Sequence, residues 1–139
     1  MSAMSVALGI TGRSRAPVIG TALGSVAVLH LALAPVLYDK SIQSIFSAGV
    51  LGSIDADPAM TDLRSAGGWY WMAGISLLVI AVLVGQAERR EGVVPAAAVV
   101  ALLVLSAFGL LLMPVSGFLI ILAIAGYGLY RRRVSSQCT

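Results

Sequence analysis

His30 is the side chain of this sequence most able to do acid–base chemistry, because it is the only histidine and stands in a long uncharged stretch. Imidazole titrates near neutral pH, and an ionisable group deep in an apolar segment points to a functional site. The other interpretation is a neutral imidazole that hydrogen-bonds across helices and holds them together. We favour this structural role.

Two serines are predicted to lie near the depth of His30. Counting about 1.5 Å per residue from the ends of the apolar stretches places Ser76 and Ser106 in one polar layer with it. A serine beside a histidine suggests nucleophilic catalysis. The sequence offers no buried carboxylate to orient the imidazole and no Gly-x-Ser-x-Gly turn, so we regard a hydrolase as the weaker interpretation.

Three acids and an arginine stand close together in the one long loop of the sequence. Asp55, Asp57 and Asp62 are candidates to bind a cation or to donate a proton, although their spacing matches no calcium-binding loop. We favour a solvated acidic loop. Arg64 is placed to pair with one of these acids or with lipid phosphate.

An aromatic cluster follows this loop. Trp69 and Trp71 flank Tyr70, and such rings collect at membrane–water boundaries. With Ser76, Ser106 and Arg64, the two tryptophans are the candidate substrate-binding residues of an outward-facing pocket near His30.

Several site types are missing from the sequence. It contains no Cys/His metal set, no phosphate-binding loop and no Cys-x-x-Cys pair, so we expect neither a metal nor another cofactor. The net charge is +3, but the basic residues flank apolar segments, which indicates membrane orientation and not nucleic-acid binding. We place no Asp or Glu inside a span, which argues against a proton-coupled multidrug exporter.

The composition indicates that lipid surrounds the chain. Of the 139 residues, 59% are hydrophobic and 11% are charged, and the mean hydropathy is +0.98. A water-soluble domain has about 45–50% apolar and about 25% charged residues. A soluble domain of this length has too little interior to bury such an excess of apolar side chains.

Four apolar stretches are long enough, or nearly so, to cross a bilayer. They predict membrane helices at about residues 16–38, 67–87, 92–113 and 114–130. Because these stretches are apolar all round, and a helix satisfies its own backbone in lipid, we predict an all-α integral membrane four-helix bundle. It would form one domain over residues 16–130, with a short interfacial helix at residues 41–54 in the first extracytoplasmic loop.

The distribution of basic residues predicts the orientation. Residues 1–15 and the basic tail at 131–139 would both be cytoplasmic, because most of the lysines and arginines then lie inside the cell. The residues on that side are Arg13, Arg15, Arg89, Arg90, Arg131, Arg132 and Arg133, whereas Lys40 and Arg64 lie outside. The expected location is the cytoplasmic membrane, which the chain crosses several times.

Gly20 and Gly24 form a Gly-xxx-Gly pair in the first predicted helix. Small residues at this spacing let helices approach closely. We favour a contact inside the bundle, and a homodimer through the same pair is the alternative. Membrane lipid is the other expected partner.

The third turn and the aromatic stretch carry a family resemblance. The run Met113-Pro114-Val115-Ser116-Gly117-Phe118, together with His30 and the stretch from Arg64 to Gly74, resembles the family of unknown function DUF6463 over residues 19–130. Its aromatic stretch is usually Phe-Trp-Phe, so Trp69-Tyr70-Trp71 keeps the character and not the letters. The resemblance implies a bacterial four-span inner-membrane protein and implies no reaction.

Three functions are compatible with these features. The first, which we favour, is a structural, accessory or partner-binding membrane protein, since no complete catalytic set is present. The second is a small membrane enzyme that transfers protons on a lipid or isoprenoid-like substrate near His30. The third is a small transporter that would have to dimerise.

Overall fold

The computed structural model describes residues 16–114 and 116–137, and this part of the chain is entirely α-helical and irregular, without strands. Five helices follow one another along it: α1 (Val18–Leu37), α2 (Asp39–Ser47), α3 (Thr61–Glu91), α4 (Ala96–Leu112) and α5 (Phe118–Ser136). The predicted N-terminal segment 1–15, with Arg13 and Arg15, and the end of the basic tail lie outside the described residues. The all-α prediction is confirmed for the described part.

Two of these helices, α1 and α3, are long and apolar enough to cross a membrane, judged by length and composition. Helix α4 is equally apolar but has 17 residues. Helix α3 has 31 residues, or about 46 Å at about 1.5 Å per residue. A hydrocarbon core is about 30 Å thick, so a membrane around α3 would leave both of its ends outside the core.

Helix α1 packs along α3, and α4 packs along α5. The two pairs meet mainly where α1 contacts α5, and α3 and α4 share no extended interface within the described residues. The core is one cluster that takes members from all four long helices, including Ile19, Leu23, Ala81, Val99 and Ile121. The four long helices therefore form two pairs, α1 with α3 and α4 with α5, and the pairs pack together mainly through α1 and α5.

The buried positions of α3 explain why α1 lies so close to it. Apart from the adjacent pair Val84 and Gly85, they recur at intervals of three, four or seven residues, which keeps them on one face of the helix. Four of the eight are glycine or alanine, which lets the two backbones approach: Gly67, Gly74, Ala81 and Gly85.

Helix boundaries differ from the predicted apolar spans. Helix α3 begins six residues earlier than residue 67, after a turn in which the Asp57 carboxylate accepts the Ala59 N–H at 3.0 Å. It ends at Glu91, and the next residue, Gly92, closes the helix with a φ of 76° and an N–H bond to the Glu88 carbonyl. Hydropathy marks where lipid would end, and the helix continues beyond that limit.

The remaining helices shift for local reasons. Pro95 stands at the N-cap of α4, so this helix begins at Ala96 and not at residue 92. Helix α5 begins at Phe118 and continues through the arginines to Ser136. Helix α2 ends earlier than predicted because Gly49, Val50 and Gly52 all have positive φ.

Candidate functional site

The most buried charge of the described chain is the carboxylate of Glu88, near the C-terminal end of α3. The residue is 2% exposed. Its Oε2 accepts the backbone N–H of Gly20 at 2.8 Å, and its Oε1 lies 3.5 Å from Nη1 of Arg131. We call Glu88, Gly20 and Arg131 the Glu88 junction, because they join α3, α1 and α5.

The junction follows from the physics of a helix N-terminus. Gly20 is the third residue of α1, and the first four N–H groups of a helix have no partner within it. The helix dipole adds partial positive charge there, which favours an anion. The Glu88 carboxylate satisfies this N–H and balances Arg131, so its burial is compensated on both sides.

A neighbouring arginine fixes the same end of α5. Nη1 of Arg132 donates a hydrogen bond to the carbonyl of Val94, in the turn between α3 and α4. Thus two consecutive arginines hold α5 against α3 and against the loop that leads to α4. The predicted role of these arginines was orientation in the membrane, and the structure adds that they hold helices together.

The predicted span 67–87 ends before Glu88 and leaves this residue in a short loop with Arg89, Arg90 and Glu91, but the structure places it inside α3. The residue continues the buried face of α3, seven positions after Ala81. That spacing is visible in the sequence and was the signal that could have identified it. Its charge and its neighbours Arg89 and Arg90 are instead typical of a loop.

His30 is bound to α3 at the opposite half of the α1–α3 interface. Its Nε2–H donates to the carbonyl of Tyr70 at 3.0 Å, and its ring stacks on the Tyr70 ring with centroids 3.9 Å apart. The Tyr38 ring packs against the same Tyr70 ring, with centroids 4.8 Å apart. The imidazole thus forms a hydrogen bond between two helices, and whether its role is structural stays a prediction.

Gly74 makes this approach possible. A Cβ at Gly74 would lie 2.9 Å from Cδ2 of His30 and 2.6 Å from Cδ2 of Leu31. Only hydrogen at that position leaves room for the imidazole to reach a carbonyl one turn earlier in α3. The His30 contact therefore depends on a glycine of the partner helix.

The predicted polar layer of His30, Ser76 and Ser106 is not joined by hydrogen bonds within the described residues. Ser106 is fully buried and donates to the carbonyl of Leu102 in its own helix at 2.6 Å. Ser76 lies on the exposed side of α3. Their predicted common depth therefore does not make one hydrogen-bonded site of them.

Arg64 holds the segment between α2 and α3 in place. It is 8% exposed, and its Nε donates to Oγ of Ser44 at 2.8 Å while Nη1 donates to the carbonyl of Ser53 at 2.6 Å. Nearby, Oγ of the buried Ser41 accepts the N–H of Gly67 at 3.2 Å. These bonds fasten α2 and its following loop to the first turns of α3.

The acidic candidates lie around this anchor without pairing to it. Asp55, Asp57 and Asp62 are exposed, and no ion pair joins Arg64 to any of them in the described parts of the chain. Nor do acids, histidines and cysteines gather there into a metal-binding group, as far as residues 16–114 and 116–137 are concerned.

The two tryptophans point to different surroundings. Trp69 is 73% exposed. Trp71 meets Phe46 of α2 edge to face, with centroids 6.4 Å apart. Such an arrangement suits rings at a membrane boundary, and it does not gather them around His30.

Replacing His30 tests its role as a hydrogen-bonding group. We expect His30→Ala to lower the free energy of unfolding by about 2 kcal/mol, because both the hydrogen bond and the ring stack are lost. His30→Gln should lose about half as much, since its amide N–H can still reach the Tyr70 carbonyl. Denaturation of the purified protein in mixed micelles measures both values. Ser76→Ala is the control, and an equal loss in Gln and Ala variants would contradict this role.

An open groove of about 270 Å³ runs along the surface between α1 and α3. Gly20 and Gly24 lie on its α1 side, and Arg89 and Gln86 stand at one end. A Cβ on Gly20 would lie 2.6 Å from the backbone nitrogen of Gly85, whereas one on Gly24 would lie 3.8 Å from the Cβ of Ala81. The Gly-xxx-Gly pair thus serves a contact within the chain, and a homodimer through it stays a prediction.

Comparison with known proteins gives one relationship. The sequence profile of the family of unknown function DUF6463 matches residues 14–135. No curated protein and no solved structure matches the chain. The match covers α1 to α4 and nearly all of α5, and it confirms the resemblance that the Met113–Phe118 turn, His30 and the aromatic stretch indicated. The chain belongs to the DUF6463 family.

Proposed function

We propose that this chain is a four-span protein of the cytoplasmic membrane, with both termini inside the cell, and that it works by binding a partner and not by catalysis. The observation that supports the proposal most is that three polar side chains of the helices are hydrogen-bonded to backbone groups. The His30 imidazole, the Glu88 carboxylate and the Ser106 hydroxyl each bond to helix backbone. His30 and Glu88 use these bonds to join helices, and within residues 16–114 and 116–137 the three groups do not come together as a catalytic set.

The surface supports a lipid environment. Large apolar side chains are exposed along α1, α3, α4 and α5, among them Leu111 at 79%. Water-soluble monomers rarely expose contiguous apolar faces of that extent. The apolar part of α5, residues 118–130, is shorter than the apolar parts of the other three long helices. The arginines that follow it can reach the interface by extending their side chains along the helix.

The enzyme alternative needs an open pocket at His30. Two grooves of the described structure are the one beside Arg89 and one along α4, and His30 lines neither. A transporter would need a polar path, for which Glu88 is the one buried carboxylate among the described residues. Because Glu88 is held by Gly20 and Arg131, we favour binding over transport as well.

Cysteine labelling in intact cells tests the topology. The chain has one cysteine, Cys138, which should react with a membrane-impermeant maleimide only after the cells are broken. In a Cys138→Ser background, Ala56→Cys should react in intact cells, because Ala56 is exposed in the segment between α2 and α3. Labelling of Cys138 from outside would reverse the sidedness. Recovery of the protein in the soluble fraction without detergent would overturn the membrane placement.

A further inference from the structure

We infer that the groove between α1 and α3 binds one anionic phospholipid of the cytoplasmic leaflet, with the lipid phosphate at Arg89 and Gln86. The assignment to that leaflet rests on the proposed topology. Binding itself rests on the shape and charge of the groove.

The groove has a polar end and an apolar length. Arg89 and Gln86 supply N–H donors at the polar end, and Leu78, Ala81 and Val82 line the part that leads away from it. From Arg89 to Leu78 the groove extends about 16 Å at about 1.5 Å per residue. One leaflet contributes about 15 Å of hydrocarbon, so a phosphate at Arg89 would place an acyl chain along the apolar part.

The charge at this end of the molecule complements an anionic headgroup. Five arginines and two glutamates lie within the described residues there: Arg89, Arg90, Arg131, Arg132, Arg133, Glu88 and Glu91. Glu88 and Arg131 are paired with each other, and Arg132 is bonded to the Val94 carbonyl. Arg89 lines the groove itself. The guanidinium group is suited to phosphate because it offers several donors in a fixed plane.

A second copy of the chain fits this groove less well. Two copies in one membrane have the same orientation, so a symmetric pair across the groove would place the Arg89 end of one beside the Arg89 end of the other. Like charges at such a contact repel each other. An anionic lipid turns the same charge into an attraction.

Lipid titration of the purified full chain in detergent tests the proposal. Dioleoylphosphatidylglycerol should bind one molecule per chain, counted by native mass spectrometry, and dioleoylphosphatidylcholine should bind more weakly. Loss of one charge-assisted contact in Arg89→Gln should weaken phosphatidylglycerol binding about tenfold. Arg90→Gln is the matched control, because it removes the same charge from the next residue, which does not line the groove. It should change binding less than about twofold.

A groove variant separates the site from surface charge. Gly24→Leu fills the apolar part without changing any charge, and it should lower phosphatidylglycerol binding as much as Arg89→Gln does. Equal losses in the Arg89 and Arg90 variants, or retained binding in Gly24→Leu, would overturn the proposal. So would a dimer cross-linked through the groove. Failure here leaves the cysteine-labelling result untouched, and a reversed topology would change the leaflet but not the binding measured in detergent.

Discussion

Replacing Glu88 with alanine is expected to lower the free energy of unfolding by about 3 kcal/mol, because a buried N–H loses its charged acceptor and a partly exposed arginine loses its counter-charge. The substitution leaves the Gly20 N–H without its acceptor and Arg131 without its counter-charge. One substitution thus removes a hydrogen bond between α1 and α3 and an ion pair between α5 and α3.

Glu88→Gln separates charge from hydrogen bonding at the same position. It keeps an acceptor for the Gly20 N–H and loses the attraction to Arg131, so its loss should be about half that of the alanine variant. Denaturation in mixed micelles measures the free energies. Glu91→Ala, an exposed acid in the same turn, is the control and should stay within about 0.5 kcal/mol of the parent. Equal effects at Glu88 and Glu91 would show that the junction contributes nothing.

The sequence was sufficient to predict the helices and insufficient to predict where they end. All-round apolarity identified the segments that became α1, α3, α4 and α5, because a helix satisfies its own backbone hydrogen bonds without water. Gly92 ends α3 and Pro95 precedes α4. Prediction of the spans from hydropathy alone did not use either residue. The extension of α3 to Glu91 shows the physical reason, since a helix does not stop where its apolar side chains stop.

The site was predicted in part, and the missing part depends on pairing between helices. A structural role for His30 could be inferred from its isolation in an apolar stretch. Its partner could not, because the Tyr70 carbonyl is reached only if α1 and α3 pack in one register and Gly74 lies opposite. Glu88 was missed for the opposite reason: local charge indicated a loop, whereas the seven-residue spacing from Ala81 indicated the buried face.

Gly20 is the position where the register of α1 on α3 is most sensitive to size. A Cβ there would meet the backbone nitrogen of Gly85 at 2.6 Å and the carbonyl of Ala81 at 2.9 Å. Neither group is a flexible side chain that could move aside. Gly20→Ala should therefore push the helices apart and lower the free energy of unfolding by about 2 kcal/mol, as overpacking does in other cores.

Gly24→Ala is the matched control, because its added methyl would lie 3.8 Å from the Cβ of Ala81, at ordinary contact distance. It should change the free energy of unfolding by less than about 0.5 kcal/mol, although both glycines belong to one Gly-xxx-Gly pair. Equal tolerance at the two positions would contradict the close packing at Gly20. Moving Gly20 also moves the N–H that Glu88 accepts. The loss of unfolding free energy in the double variant should therefore be smaller than the sum of the losses in Gly20→Ala and Glu88→Ala. That shortfall would measure the coupling between the helix contact and the buried charge.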